Sequence, residues 1–128
     1  MKTQIIPKDY IHISPAGAKI RSLMHSLEAD LVHCTLPAGK ISKAVAHKTV
    51  SEFWHVLSGQ GAIWRKQGEV QSITALEKGV TIDIPLGTHF QYRTDKEIGL
   101  VFLCFTMPPW TGADEAYYVE NGAWTPTE

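Results

Sequence analysis

At 128 residues the chain can bury one core and is too short for two, so a single domain over residues 1–128 is expected. The formal net charge is -1, and the 12 Lys and Arg are scattered, which excludes the basic face that nucleic acid or an anionic membrane surface needs. No apolar run approaches the roughly 18 residues of a membrane span, and the first residues lack a signal-peptide pattern, so a cytoplasmic location is expected.

In chain order, short runs rich in β-branched and aromatic residues predict strands over 18–25, 30–36, 52–57, 61–65, 70–76, 80–84, 90–93 and 100–106. Pro37-Ala38-Gly39, Ser58-Gly59, Gln67-Gly68, Lys78-Gly79 and Pro85-Leu86-Gly87 punctuate them as turns. The segment Gly59-Gln60-Gly61 is expected to turn between two strands. No long stretch carries a helical apolar period. So many short strands at close spacing predict an all-β fold that closes on itself as a sandwich, barrel or jelly roll. Cys34 and Cys104 each sit in an apolar run, match no zinc spacing, and read as buried free thiols.

The barrel is expected over about 18–107. The remainder, about 108–128, is an aromatic tail with Trp110, Tyr117, Tyr118 and Trp124. Burying such rings is favourable by about 1.5–3 kcal/mol each, so the tail is expected to pack on the barrel wall or on a partner subunit. A lid over the barrel mouth is the functional alternative. The tail's apolar surface also leads us to expect a homodimer.

Two segments carry the chemistry. The first holds Gly39, His47, Glu52 and Gly59; the second holds Gly79, Pro85, Gly87 and His89. Two imidazoles and one carboxylate are what a 2-His-1-carboxylate metal site needs. Strand alternation puts Val45 with His47, and Glu52 with Trp54 and Val56. It also aligns His89 with Gln91 and Arg93. If the Glu52 and His89 faces both point inward, they meet. Trp54 would then wall a pocket, Gln91 would offer a neutral hydrogen bond, and Arg93 would anchor an anion.

These segments resemble the paired signatures of the cupin superfamily. Its first motif is Gly, five residues, His-x-His, three or four residues, Glu, six residues, Gly; Gly39, His47, Glu52 and Gly59 match, with Val45 in the place of the first histidine. Its second motif is Gly, five residues, Pro-x-Gly, two residues, His; Gly79, Pro85 and Gly87 match, and His89 comes one residue early. The tail Met107-Pro108-Pro109-Trp110 is similar to that of small single-domain cupins labelled mannose-6-phosphate-isomerase-like. The resemblance implies a cupin-type jelly-roll barrel and a divalent metal (Fe, Mn, Zn or Ni) held by His47, Glu52 and His89. His33 is the candidate replacement for the missing fourth ligand. The implied function is a metal-dependent enzyme acting on a small polar molecule by oxygenase-type or isomerase-type chemistry. The alternative is a non-catalytic binding protein that has lost its metal.

Overall fold

The computed structural model describes residues 1–14 and 17–127, and these form antiparallel strands with no helix among them. The strands are β1 (His12–Ile13), β2 (Lys19–His25), β3 (Asp30–Leu36), β4 (Val45–His47), β5 (Ser51–Gln67), β6 (Val70–Glu77), β7 (Thr81–Ile84), β8 (His89–Thr94), β9 (Leu100–Met107) and β10 (Ala116–Tyr118). Their order is β1-β2-β3-β9-β5-β8-β4-β10, with β6 and β7 also paired to β5. The first half of β5 pairs with β7 and β9, and its second half with β6 and β8. One strand thus serves both walls of an all-β, jelly-roll-type barrel. Among the described residues no helix is long and apolar enough to cross a membrane.

Gly59-Gln60-Gly61 does not turn, contrary to the expectation from sequence. β5 runs through it for 17 residues, with a register shift between Val56 and Ser58 against β9. Both glycines are there because neighbouring backbone comes too close for a side chain. A Cβ on Gly59, whose φ is 91°, would lie 1.9 Å from the Gly99 carbonyl oxygen, and one on Gly61 would lie 2.4 Å from that of Arg93. Glycine in a strand marks such close approach and bending as often as reversal. Chain reversal occurs instead around Gly68 and at Gly79, both with positive φ.

The core lies between the walls. Alternation turns Trp54 and Val56 of β5, Ile82 and Ile84 of β7, Phe90 of β8, and Leu100, Phe102 and Cys104 of β9 inward. Trp54 stacks on Phe102 at 4.1 Å between ring centroids and meets Phe90 and Tyr92 edge-on. Cys34 and Cys104 are free and buried, as expected.

The tail is anchored along the outside of the β8 wall. β10 pairs with β4, Ala116 opposite His47. Further on, the Trp124 backbone N–H donates to Gln91 Oε1 (2.9 Å), and Gln91 Nε2 donates to the carbonyls of Trp124 (2.8 Å) and Ser42 (2.7 Å). The Arg93 guanidinium lies 4.4 Å from the Trp124 ring centre. Gln91 and Arg93 therefore hold the tail to the outer wall and do not line an interior pocket.

Candidate functional site

His47 ends the short β4 and Glu52 follows the first residue of β5, so the turn 48–50 brings an imidazole and a carboxylate together at one end of the barrel. His47 Nδ1 and Glu52 Oε2 are 3.9 Å apart, and each residue is 6% exposed. Glu52 Oε1 accepts the Trp54 indole N–H at 2.9 Å. Thr106 stands opposite Glu52 in register on β9 and is buried beside it. His47 Nδ1 and Thr106 Oγ1 are both buried without a hydrogen-bond partner. Buried polar atoms are nearly always paired, so two orphans beside a buried carboxylate mark a place where something else belongs.

His89 does not join this pair. Phe90 is the inward residue of β8: it is 3% exposed, and its ring meets His47 edge-on at 5.2 Å and Trp54 at 6.3 Å. Alternation then places His89 and Gln91 on the opposite face. The phase of β8 is set by the apolar demand of the core, which takes Phe90 and Tyr92 and turns the polar His89, Gln91 and Arg93 outward. His33, the candidate fourth ligand, likewise lies on an outer face, paired with Arg21 and Leu103 while the adjacent Cys34 points inward. Burial, and then the Arg21 charge, hold its imidazole below the ordinary histidine range.

A resident metal is not what these residues fit. With two residues intervening after Gly87, the second cupin histidine falls on position 90, which is Phe90; the first falls on Val45. Val45 and Phe90 face each other in register across β4 and β8. Two of the four ligand corners are thus hydrocarbon, leaving His47 and Glu52. Among the described residues no group of three or more His, Cys, Asp or Glu side chains is placed to hold an ion. The sign that separates His89 from Phe90 was present in the motif spacing, as the one-residue discrepancy.

Burial pushes the Glu52 carboxyl above the usual carboxylate range; His47, the Trp54 N–H and the Cys104 thiol, which donates to it, offset this only in part. Burial, and then the Glu52 charge, also raise both Cys34 and Cys104, so neither thiol is a ready nucleophile. The arrangement is a carboxyl whose charge burial opposes, next to an imidazole with an unused nitrogen. Such a pair can give and take a proton at one ligand atom.

Trp110 covers the site from the tail, its ring edge-on to His47 at 5.2 Å. Its backbone N–H donates to Asp30 Oδ2 at 3.1 Å, while Asp30 Oδ1 is bonded to His25 Nδ1. The tail therefore packs on the wall through Trp124 and sets the Trp110 ring against His47. Its second anchor is Glu115, invisible in the sequence because it lies in no motif. Its carboxylate accepts the N–H groups of Thr49 (2.6 Å) and Val50 (2.8 Å) and the hydroxyls of Thr49 and Thr111. It thereby ties the turn between His47 and Glu52 to the residue after Trp110.

Burial alone would raise Glu115, but these donors outweigh it and hold the carboxyl below its usual range. Its stabilisation is accordingly in force above the unfolded value of about 4.3 and fades as pH falls through the lower folded-state value. Glu115→Ala strands the Thr49 and Val50 N–H groups, and is expected to cost about 2–4 kcal/mol in urea unfolding at pH 7. A loss below about 1 kcal/mol would show that water takes over those donors without penalty.

The chain matches no protein-family model. It is 27% identical over 120 residues to the uncharacterized protein MJ1618 of Methanocaldococcus jannaschii, an alignment spanning 87% of this chain and 93% of that one. Among solved structures, oxalate decarboxylase from Bacillus subtilis superposes with a TM-score of 0.76 at 16% identity over 93% of this chain. The chain spans 33% of the length of that enzyme. Pac13, a nucleoside dehydratase from Streptomyces, superposes with a TM-score of 0.70 at 14% identity, covering 93% of this chain and 92% of its own. At such identities the likeness speaks for the fold, and with the strand order and motif glycines it establishes that this chain has the cupin-type barrel fold.

Proposed function

We infer that this chain is a small-molecule cupin whose reactive centre is the His47–Glu52 pair, working as acid and base without a resident metal. One observation carries this reading. Two of the fold's four ligand corners, Val45 and Phe90, are apolar, while the remaining two residues are buried side by side with polar capacity unused. Its similarity to oxalate decarboxylase and to a nucleoside dehydratase supports small-molecule chemistry as the general class, and reaction and substrate differ between those two. In the metal-dependent reading, His47, Glu52 and His89 hold an iron, manganese, zinc or nickel ion. Against it stands His89 on the outer face.

Elemental analysis of purified protein separates the two. The metal-independent reading expects well under one equivalent of transition metal per chain and a melting temperature unmoved by EDTA. One equivalent of metal that disappears in His47→Ala would overturn it. A non-catalytic binding protein is the remaining alternative, and it is told apart by Glu52→Gln: an enzyme loses turnover of a screened ligand while still binding it.

A further inference from the structure

We propose that the centre takes an uncharged, hydroxyl-bearing ligand, with one hydroxyl seated between His47 Nδ1, Glu52 Oε2 and Thr106 Oγ1 beneath Trp110. This deepens the metal-independent reading of the same site and rests on it. The 3.9 Å gap between the imidazole nitrogen and the carboxyl oxygen is too long for a direct hydrogen bond. One oxygen placed about 2.8 Å from each atom bridges it. A hydroxyl suits the position because it donates and accepts at once, and the Thr106 hydroxyl beside Glu52 can supply or receive a third bond.

Charge sets the ligand class. No Lys or Arg is among the buried residues described. Arg65, on the inward-facing register of β5 opposite Phe90, has its charge paired with Asp83 and also donates to the Thr74 hydroxyl, while its Nε is buried without a partner. The acidic groups at this end are Glu52 within, Asp30 at the rim, opposite Thr106 in register, and Glu115 against the 48–50 turn. An anionic ligand would lose its hydration and meet carboxyl groups with no cation in return. A cationic ligand would bury its own charge, and an ammonium, which only donates, cannot accept from the Thr106 hydroxyl. The walls, Phe90 and Trp110 against His47, favour the C–H surface of a neutral compound.

The test uses three matched probes on the intact chain: glycerol, glycerol 3-phosphate and serinol, which are neutral, anionic and cationic. Ring signals of His47, assigned by their loss in His47→Gln, report occupancy by NMR. Glycerol is expected to shift them saturably in the millimolar range, with the two charged probes at least tenfold weaker. Thr106→Val should abolish the response and Thr106→Ser should restore it. Equal or tighter binding of either charged probe would overturn the proposal, as would His47 signals unmoved by glycerol or a response untouched by Thr106→Val. A metal-free chain that prefers the anionic probe would sink this inference alone. One equivalent of bound metal would remove both readings.

Discussion

Glu52→Gln is expected to melt several degrees above the natural protein at neutral pH while losing whatever turnover the site performs. The natural carboxyl sits in a site that resists its charge, because burial outweighs the help from His47, Trp54 and Cys104. A folded-state value above the unfolded one of about 4.3 means that the folded chain binds more protons between those two values. Stability therefore falls as pH rises through that window, and what is lost stays lost above it. An amide of the same shape still accepts the Trp54 N–H and carries no ionisation penalty, so it removes the slope. A gain of about 1 kcal/mol corresponds to roughly 3–6 °C for a domain of this size. Functional groups commonly hold a fold below its attainable stability in this way. Thermal unfolding of both proteins from pH 4 to 9 checks it. Parallel curves, or a less stable glutamine variant at pH 8, would mean that Glu52 is ionised and well compensated.

The double variant Val45→His/Phe90→His is expected to gain a divalent-metal site that the natural chain lacks. With His47 and Glu52 it would present three imidazoles and a carboxylate, with zinc–ligand distances of about 2.0–2.2 Å. The apo form should be less stable, by about 2–4 kcal/mol, because Phe90 leaves its contacts with Trp54 and His47. Zinc should restore this and more, since an ion that binds only the folded state stabilises it by mass action. Calorimetric titration should find zinc bound at least a hundredfold more tightly than by the natural protein. A double variant that folds and ignores zinc would show that positions 45 and 90 are not the corners of the ligand set. Val45→His with His89 left in place should gain far less, because His89 faces outward.

The strands and their closure into a barrel were legible because alternation and turn residues are local signals. The inward direction of Glu52 was legible for the same reason: Trp54 and Val56 share its face, and they can only be core. β8 carries the opposite lesson. There a polar set, His89, Gln91 and Arg93, alternates with Phe90 and Tyr92; the ligand-capable His89 favours the polar phase inward, whereas the core takes the aromatic one. Gly59 and Gly61 were ambiguous in principle, since glycine serves a turn and a close backbone approach equally well. Thr106 follows from the period-two series Leu100, Phe102, Cys104, Thr106 once β9 is known to flank β5. Glu115 and the seat of Trp110 depend on contacts across more than sixty residues of chain and leave no local trace.

β5 has a consequence for how the molecule can come apart. It gives residues 51–59 to one wall and 60–67 to the other, and it touches four neighbouring strands along its length. Neither wall can shed its shared strand without stripping the other of a hydrogen-bonding partner. Such a barrel is expected to have no seam between independently melting halves, with amide exchange along β5 falling in a single slow class whose rate reports global opening.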